Sequence, residues 1–175
     1  MKFLKKLIKK IIIVIGDYHL FEQKIFLQGK ILSEKNKNKK KIKDFSEIEF
    51  SVFSQWGDDG IIDWLTNNLP KIPRVFLEIG TQDYKESNTR FLIMSKNWSG
   101  YIIDSSKEDI AKVKKQNIYW KYNLKAFNFF ITKENINNIL SKIKVPNEIG
   151  LLSLDIDGND YWVWDKIKNI SPAIF

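Results

Sequence analysis

The chain has 175 residues, no cysteine, 29 Lys or Arg against 21 Asp or Glu, and a formal net charge of +8. That length can bury the core of one domain, and the missing cysteines exclude a disulfide framework, thiolate catalysis and cysteine-ligated zinc or iron–sulfur centres. The charge is lopsided: residues 1–45 hold 13 Lys against 4 acids, and residues 46–175 hold 16 Lys or Arg against 17 acids. The basicity therefore belongs to the N-terminal arm, and a specific nucleic-acid footprint over the main body is not supported.

The opening MKFLKKLIKKIIIVIG mixes lysines with apolar residues. Its apolar run, Ile11–Ile15, falls far short of the ~18 residues that cross a bilayer, and no small-residue cleavage site follows. The segment reads as a retained basic amphipathic stretch, suited equally to an anionic membrane face and to packing on its own domain or a partner. This predicts a cytoplasmic protein, with peripheral contact to the inner membrane face as one reading of the arm and a homo-oligomer left open. Residues 17–34 carry Leu20, Phe21, Ile25, Leu27, Ile31 and Leu32 at the spacing of a partly buried helix, which Gly29 weakens in its middle. Ser33–Lys43 has almost no apolar content and reads as a solvated linker. The predicted organisation is a basic, helical and linker-like arm over 1–44 and a domain over 45–175.

Gln55, Trp56 and Gly57 lead into a helix capped by Asp58 or Asp59 and packed through Ile61, Ile62, Trp64 and Leu65 until it stops before Pro70. Val75–Ile79 is an almost continuous apolar run, as a buried parallel strand requires. Glu78 sits at its carboxyl end, and Gly80 allows a sharp turn beyond it. A helix capped by Ser87 follows, packed through Phe91, Leu92 and Met94 and ending near Gly100. Tyr101–Ile103 is a second strand, closed by Asp104, and Ser106 caps the next helix. A short strand is predicted at Ile118–Trp120, then a helix capped by Thr132 and running through Ile136, Ile139, Leu140 and Ile143. Gly150–Ile156 is a strand ending at Asp155 and Asp157. After the Gly158-Asn159 turn comes a helix with Tyr161, Trp162, Trp164 and Ile167, and Ala173–Phe175 opens a fifth strand. The alternation predicts a three-layer α/β domain with a mostly parallel sheet, incomplete after the start of that fifth strand and with an exposed edge.

In such a sheet the strand-closing acids Glu78, Asp104, Asp155 and Asp157 gather on one edge, where open α/β sheets place their ligands. Asp104, well downstream of Gly80, has the approximate spacing of an acid that accepts both hydroxyls of a ribose. No second glycine follows Gly80, so a pyrophosphate cradle is disfavoured and a nucleoside without phosphates fits better. The competing reading is an ordinary α/β domain whose strand-end acids only cap helices.

Four ordered motifs, SQWGDDGIIDWL, FLEIGTQDYKESNTRFL, GYIIDSSK and LLSLDIDGNDYWVW, resemble the FkbM-like branch of S-adenosylmethionine-dependent methyltransferases over about Phe53–Phe175. The resemblance implies a Rossmann-like domain. Glu78, Gly80, Thr81 and Asp83 would line the methionine part of S-adenosyl-L-methionine, Asp104 would hold its ribose, and Asn123 and Leu124 would flank the adenine. Asp155 and Asp157 would face the methyl-transfer centre, and the implied acceptor is a sugar or polysaccharide-related hydroxyl. On residue chemistry, Asp155 or Asp157 is the candidate to orient or deprotonate that hydroxyl, since the single histidine, His19, lies in the arm. Gln55, Trp56 and Asp58 are candidates to close the pocket or meet the acceptor.

Two other readings stay open. Asp155-Ile-Asp157 could hold a divalent cation against a sugar nucleotide, as in a glycosyltransferase. Alternatively, the chain could be a non-catalytic binding or assembly module with a degenerate cofactor fold.

Overall fold

A computed structural model describes residues 20–175; the basic stretch before them, with Lys2–Lys10 and His19, lies outside the described residues. Helix α1 occupies residues 20–36, followed by a 3-10 turn at Phe45–Glu47. The remaining elements are α2 (Asp58–Asn68), β1 (Val75–Ile79), α3 (Arg90–Lys96), β2 (Ser99–Asp104), α4 (Lys107–Lys115), α5 (Asn117–Lys121), β3 (Leu124–Asn128), α6 (Ile136–Lys142), β4 (Glu148–Leu154), α7 (Asp160–Lys166) and β5 (Ser171–Ile174).

The five strands form one all-parallel sheet in the order β3-β2-β1-β4-β5. Strands buried on both faces need apolar residues at nearly every position, and β1 and β2 meet that demand. Phe76, Ile102, Leu124 and Leu151 face α3, α4 and α5 through Leu92, Ile93, Ile110, Val113 and Ile118. Leu77, Ile79, Ile103 and Leu152 face α6 and α7 through Ile136, Ile139, Leu140 and Val163. Helices on both faces of a parallel sheet give the Rossmann-like three-layer architecture that the sequence predicts. Among the described residues no helix is long and apolar enough to cross a membrane.

The chain runs from β1 outward to β2 and β3, then returns to place β4 on the other side of β1. The direction of winding thus reverses between β1 and β4, and open sheets of this kind bind ligands in the crevice at the carboxyl ends of those strands. Register brings the strand ends level: Ile79 pairs with Ile103 on one side and Leu154 on the other.

Several local expectations are corrected. Ile118–Trp120 is helical, as part of α5, and β3 begins only at Leu124. Gly100 does not end α3; Asn97 does so in a left-handed conformation (φ 56°), and Gly100 lies within β2 beneath the Phe76 ring. α2 has no side-chain cap, and its buried residues are Asp59, Gly60 and Asp63, while Ile61, Ile62, Trp64 and Leu65 are half-buried. The solvated linker expected at 33–43 is partly helix and partly tied down. Ser33 and Asn36 are buried, Asn36 Nδ2 donates to the Ile48 carbonyl at 3.1 Å, and Trp64 Nε1 donates to the Lys39 carbonyl at 2.7 Å.

Candidate functional site

Two adjoining clefts open at the carboxyl edge of the sheet, and Gly80 borders both. The first is lined by Gln55, Trp56, Asp58, Glu78, Thr81, Gln82, Asp83, Ser87, Asn88 and Asp155. The second is bordered by Asp104, Ser105, Phe129, Phe130, Ile131 and Asp157. The first is polar, and the second pairs a carboxylate with aromatic and aliphatic walls.

Gly80 separates the clefts because its backbone crosses the winding-reversal crevice. Its φ of +86° is a conformation that side-chain-bearing residues rarely adopt, and its Cα lies against the Asp155 backbone with no room for a Cβ. Hydrogen bonds hold the crossing on both sides, from Gly80 N–H to the Ile103 carbonyl and from Asp155 N–H to the Ile79 carbonyl. Left-handed backbone accumulates around it at Gln82 (φ 47°), Tyr84 (φ 62°), Asp157 (φ 55°) and Gly158 (φ 93°). At the three that carry side chains such strain costs ~1–3 kcal/mol each, and it tends to cluster at ligand sites.

Glu78 is almost fully buried, and its carboxylate organises the wall of the first cleft. Ser87 Oγ and Thr89 Oγ1 donate to Oε2 at 2.7 and 2.5 Å, and the Asn88 N–H donates to Oε1 at 3.0 Å. Burial pushes the carboxyl above its ordinary value, against the pull of those hydroxyl and amide donors. The same hydroxyls meet Tyr84, whose phenol is driven far up by burial and by the Glu78 charge. Ser87 Oγ also accepts the Arg90 N–H at 3.2 Å, but the N-cap of α3 is Thr89, without a side-chain cap bond, and not Ser87 as predicted.

Beside this network, Thr81 Oγ1 is buried without a hydrogen-bonding partner, in the wall of the first cleft. Unsatisfied buried hydroxyls are costly, so this atom is suited to a polar ligand group. Asp83 is tied to Lys85 through its N–H and its ammonium.

Asp104 accepts the Gln82 N–H on Oδ2 and the Ser106 N–H on Oδ1, each at 2.7 Å. It thereby joins the loop after β1 to the start of α4. Each oxygen accepts one such bond and keeps a lone pair for a ligand donor. The predicted Ser106 cap is present, with Asp109 N–H donating to Ser106 Oγ at 3.1 Å.

Gln55, Trp56 and Asp58 reach the first cleft because Asp59 folds the loop that carries them. Its buried Oδ2 accepts the N–H groups of Val52, Phe53 and Ser54 at 2.7, 2.6 and 2.9 Å. Desolvation raises its pKa, opposed by those three amides. Trp56, 73 % exposed, stands at the rim.

The sequence thus brings Gln55, Trp56, Asp58, Glu78, Gly80, Thr81, Asp83 and Asp155 to one cleft, and Asp104 and Asp157 to its neighbour. Asn123 and Leu124 do not join them. Leu124 pairs with Gly100 and Asn128 with Asp104, so residues 123 and 124 lie at the amino edge of the sheet. Because β3 starts later than expected, the residues beyond its carboxyl end are Phe129, Phe130 and Ile131, which the sequence reading missed. The alternating LKAFN pattern was their available signal. Asp155 and Asp157, read as a pair, line different clefts, and both are exposed. Among the described residues no group of three or more His, Cys, Asp or Glu side chains could hold a metal ion. No family model, curated protein or solved structure matches the chain.

Proposed function

We propose that the chain binds S-adenosyl-L-methionine across the two clefts and methylates a hydroxyl of a sugar-like acceptor, as the FkbM-like motifs imply. The observation that carries the reading is the partition around Gly80. A polar cleft with an unpartnered Thr81 hydroxyl suits an amino-acid moiety, and a neighbouring cleft with Asp104 beside Phe129, Phe130 and Ile131 suits a ribose and a planar base. The ligand so described is nucleoside-like, zwitterionic at one end and free of phosphate.

When bound, the cofactor supplies an electrophilic methyl group on a sulfonium. The residues of this chain have the remaining tasks. Gly80 lets the backbone approach the junction of the two moieties, Asp104 orients the ribose diol, and Glu78 holds the Ser87–Thr89 wall of the first cleft. Methyl transfer depends chiefly on in-line placement, and Asp155, at the rim of the first cleft, orients the acceptor hydroxyl and takes up its proton. Asp157 borders the nucleoside side, so its role is contact with that moiety. Trp56 and, across the second cleft, Phe130 offer exposed aromatic faces on which a sugar ring can stack.

Titration calorimetry of S-adenosyl-L-methionine into the folded chain tests the reading. Binding that weakens about tenfold or more in Asp104→Ala is expected. A folded protein that shows no heat of binding at millimolar ligand overturns it. Manganese-dependent binding of a sugar nucleotide would select a metal-dependent glycosyltransferase instead, although the separation of Asp155 from Asp157 gives that reading less support.

A further inference from the structure

Helix α1 has two dissimilar faces. On the inner one, Gly29, Ser33 and Asn36 are buried, and a Cβ on Gly29 would overlap the Val52 side chain, so the helix is seated closely on the domain. At ~100° per residue, the opposite direction carries Leu20, Leu27 and Ile31, which are 54, 57 and 68 % exposed. The exposed Lys24 and Lys35 flank this stripe on one side, and Phe21 and Leu32 lie beyond them toward the inner face. A helix that only covered its own domain would keep polar residues there.

The charge around the stripe is predominantly positive, with the exposed Glu34 beside Leu27 and Ile31 paired to Lys37. Residues 20–43 contain eight lysines against Glu22 and Glu34, and Lys24, Lys30, Lys35, Lys41 and Lys43 are exposed. A closely packed protein groove would have to desolvate the lysines that flank the stripe. An interface between headgroups and acyl chains accommodates both kinds of residue, with the apolar tips in the acyl boundary and the ammonium groups lifted on flexible stems to the phosphates. Clustered lysines next to such a face strengthen attraction to anionic lipid.

We propose that the outward face of α1 docks on an anionic lipid bilayer, with Leu20, Leu27 and Ile31 entering the interface and Lys24 and Lys35 pairing with acidic headgroups. This site is separate from the clefts, and its test is independent of any cofactor.

The test is co-sedimentation of the full chain with phosphatidylcholine vesicles, with and without about one-quarter phosphatidylserine. The chain is expected to partition at least ~tenfold more strongly onto the anionic vesicles, and added salt should weaken the binding. Leu27→Asp with Ile31→Asp is expected to lower the partition about tenfold or more while leaving the melting temperature unchanged, since both side chains are exposed. Lys24→Glu with Lys35→Glu should remove most of the preference for phosphatidylserine. The proposal is overturned if the wild-type chain stays in the supernatant, or if the apolar double variant sediments like wild type, which would assign binding to residues ahead of α1. It is equally overturned if that variant changes the oligomeric state, showing that a second copy covers the face, or if the chain retains RNA but not vesicles.

Discussion

The Cα of Gly80 lies so close to the carbonyl oxygen of Asp155 that no side chain fits between them. The contact joins the end of β1 to the end of β4 at the point where the direction of winding reverses. Gly80→Ala must therefore relieve a backbone overlap as well as adopt φ near +86°. The expected outcome is a loss of at least ~2 kcal/mol of stability together with loss of ligand binding. Gly158→Ala has a similar φ, +93°, but nothing within 4 Å, so it should cost only ~1–2 kcal/mol. Urea unfolding of the two variants side by side checks the difference.

Glu78 makes stability depend on pH in a direction opposite to that of an ordinary surface carboxylate. Its folded pKa is raised above the reference 4.5 by burial, so between the unfolded and folded values the folded state binds more protons. The contribution of this group is most favourable below about 4.5 and declines as pH rises through the elevated folded pKa. Glu78→Gln, which cannot titrate and still offers an oxygen to the Asn88 N–H, should flatten that part of the profile. Denaturation midpoints measured from about pH 4 to 8 test it; identical slopes for wild type and variant would refute the assignment.

Asp155 and Asp104 should separate in kinetic assays. Under the methyltransferase proposal, Asp155→Asn should reduce kcat about a hundredfold or more with little change in cofactor affinity. Asp104→Asn should act mainly on that affinity. If Asp155→Asn leaves turnover intact, the proton acceptor lies elsewhere.

Asp63 and Lys96 form an ion pair of 2.6 Å with the carboxylate buried, and Lys96 also donates to Asn67 at 2.7 Å. Burial lowers the Lys96 pKa, while Asp63 pulls it back up. Lys96→Met alone should cost ~3–5 kcal/mol, because it strands a buried carboxylate. Adding Asp63→Leu should recover much of that loss. Thermal unfolding of the single and double variants reads the coupling directly.

What could be read from the sequence follows from how local each constraint is. β1 was legible because VFLEI is buried on both faces by its own composition, and Ser106 was legible because a cap bonds three residues away. β3 was misread because it lies at the edge of the sheet and its LKAFN alternates apolar with polar residues. The more uniformly apolar Ile118–Trp120 reads more strongly as a strand but belongs to α5. That slip moved the residues expected beside the adenine to the wrong edge of the sheet. Asp59 reads from the sequence only as a candidate helix cap, and nothing local marks Asp63. Their burial depends on loop amides that precede the helix and on a lysine more than thirty residues downstream, partners that periodicity does not register. The strand-closing positions of Glu78, Asp104 and Asp155 needed only the parallel topology, and they fell together.

Val52 receives two constraints from opposite directions. Its side chain lies beneath Gly29 of α1, and its amide donates to the Asp59 carboxylate. The N-terminal helix and the Trp56 rim are thereby spliced at one residue, which stands only four positions before Trp56. A bulky side chain at position 29 would lever that splice apart, and the disturbance would surface at the mouth of the cleft before it reached the sheet.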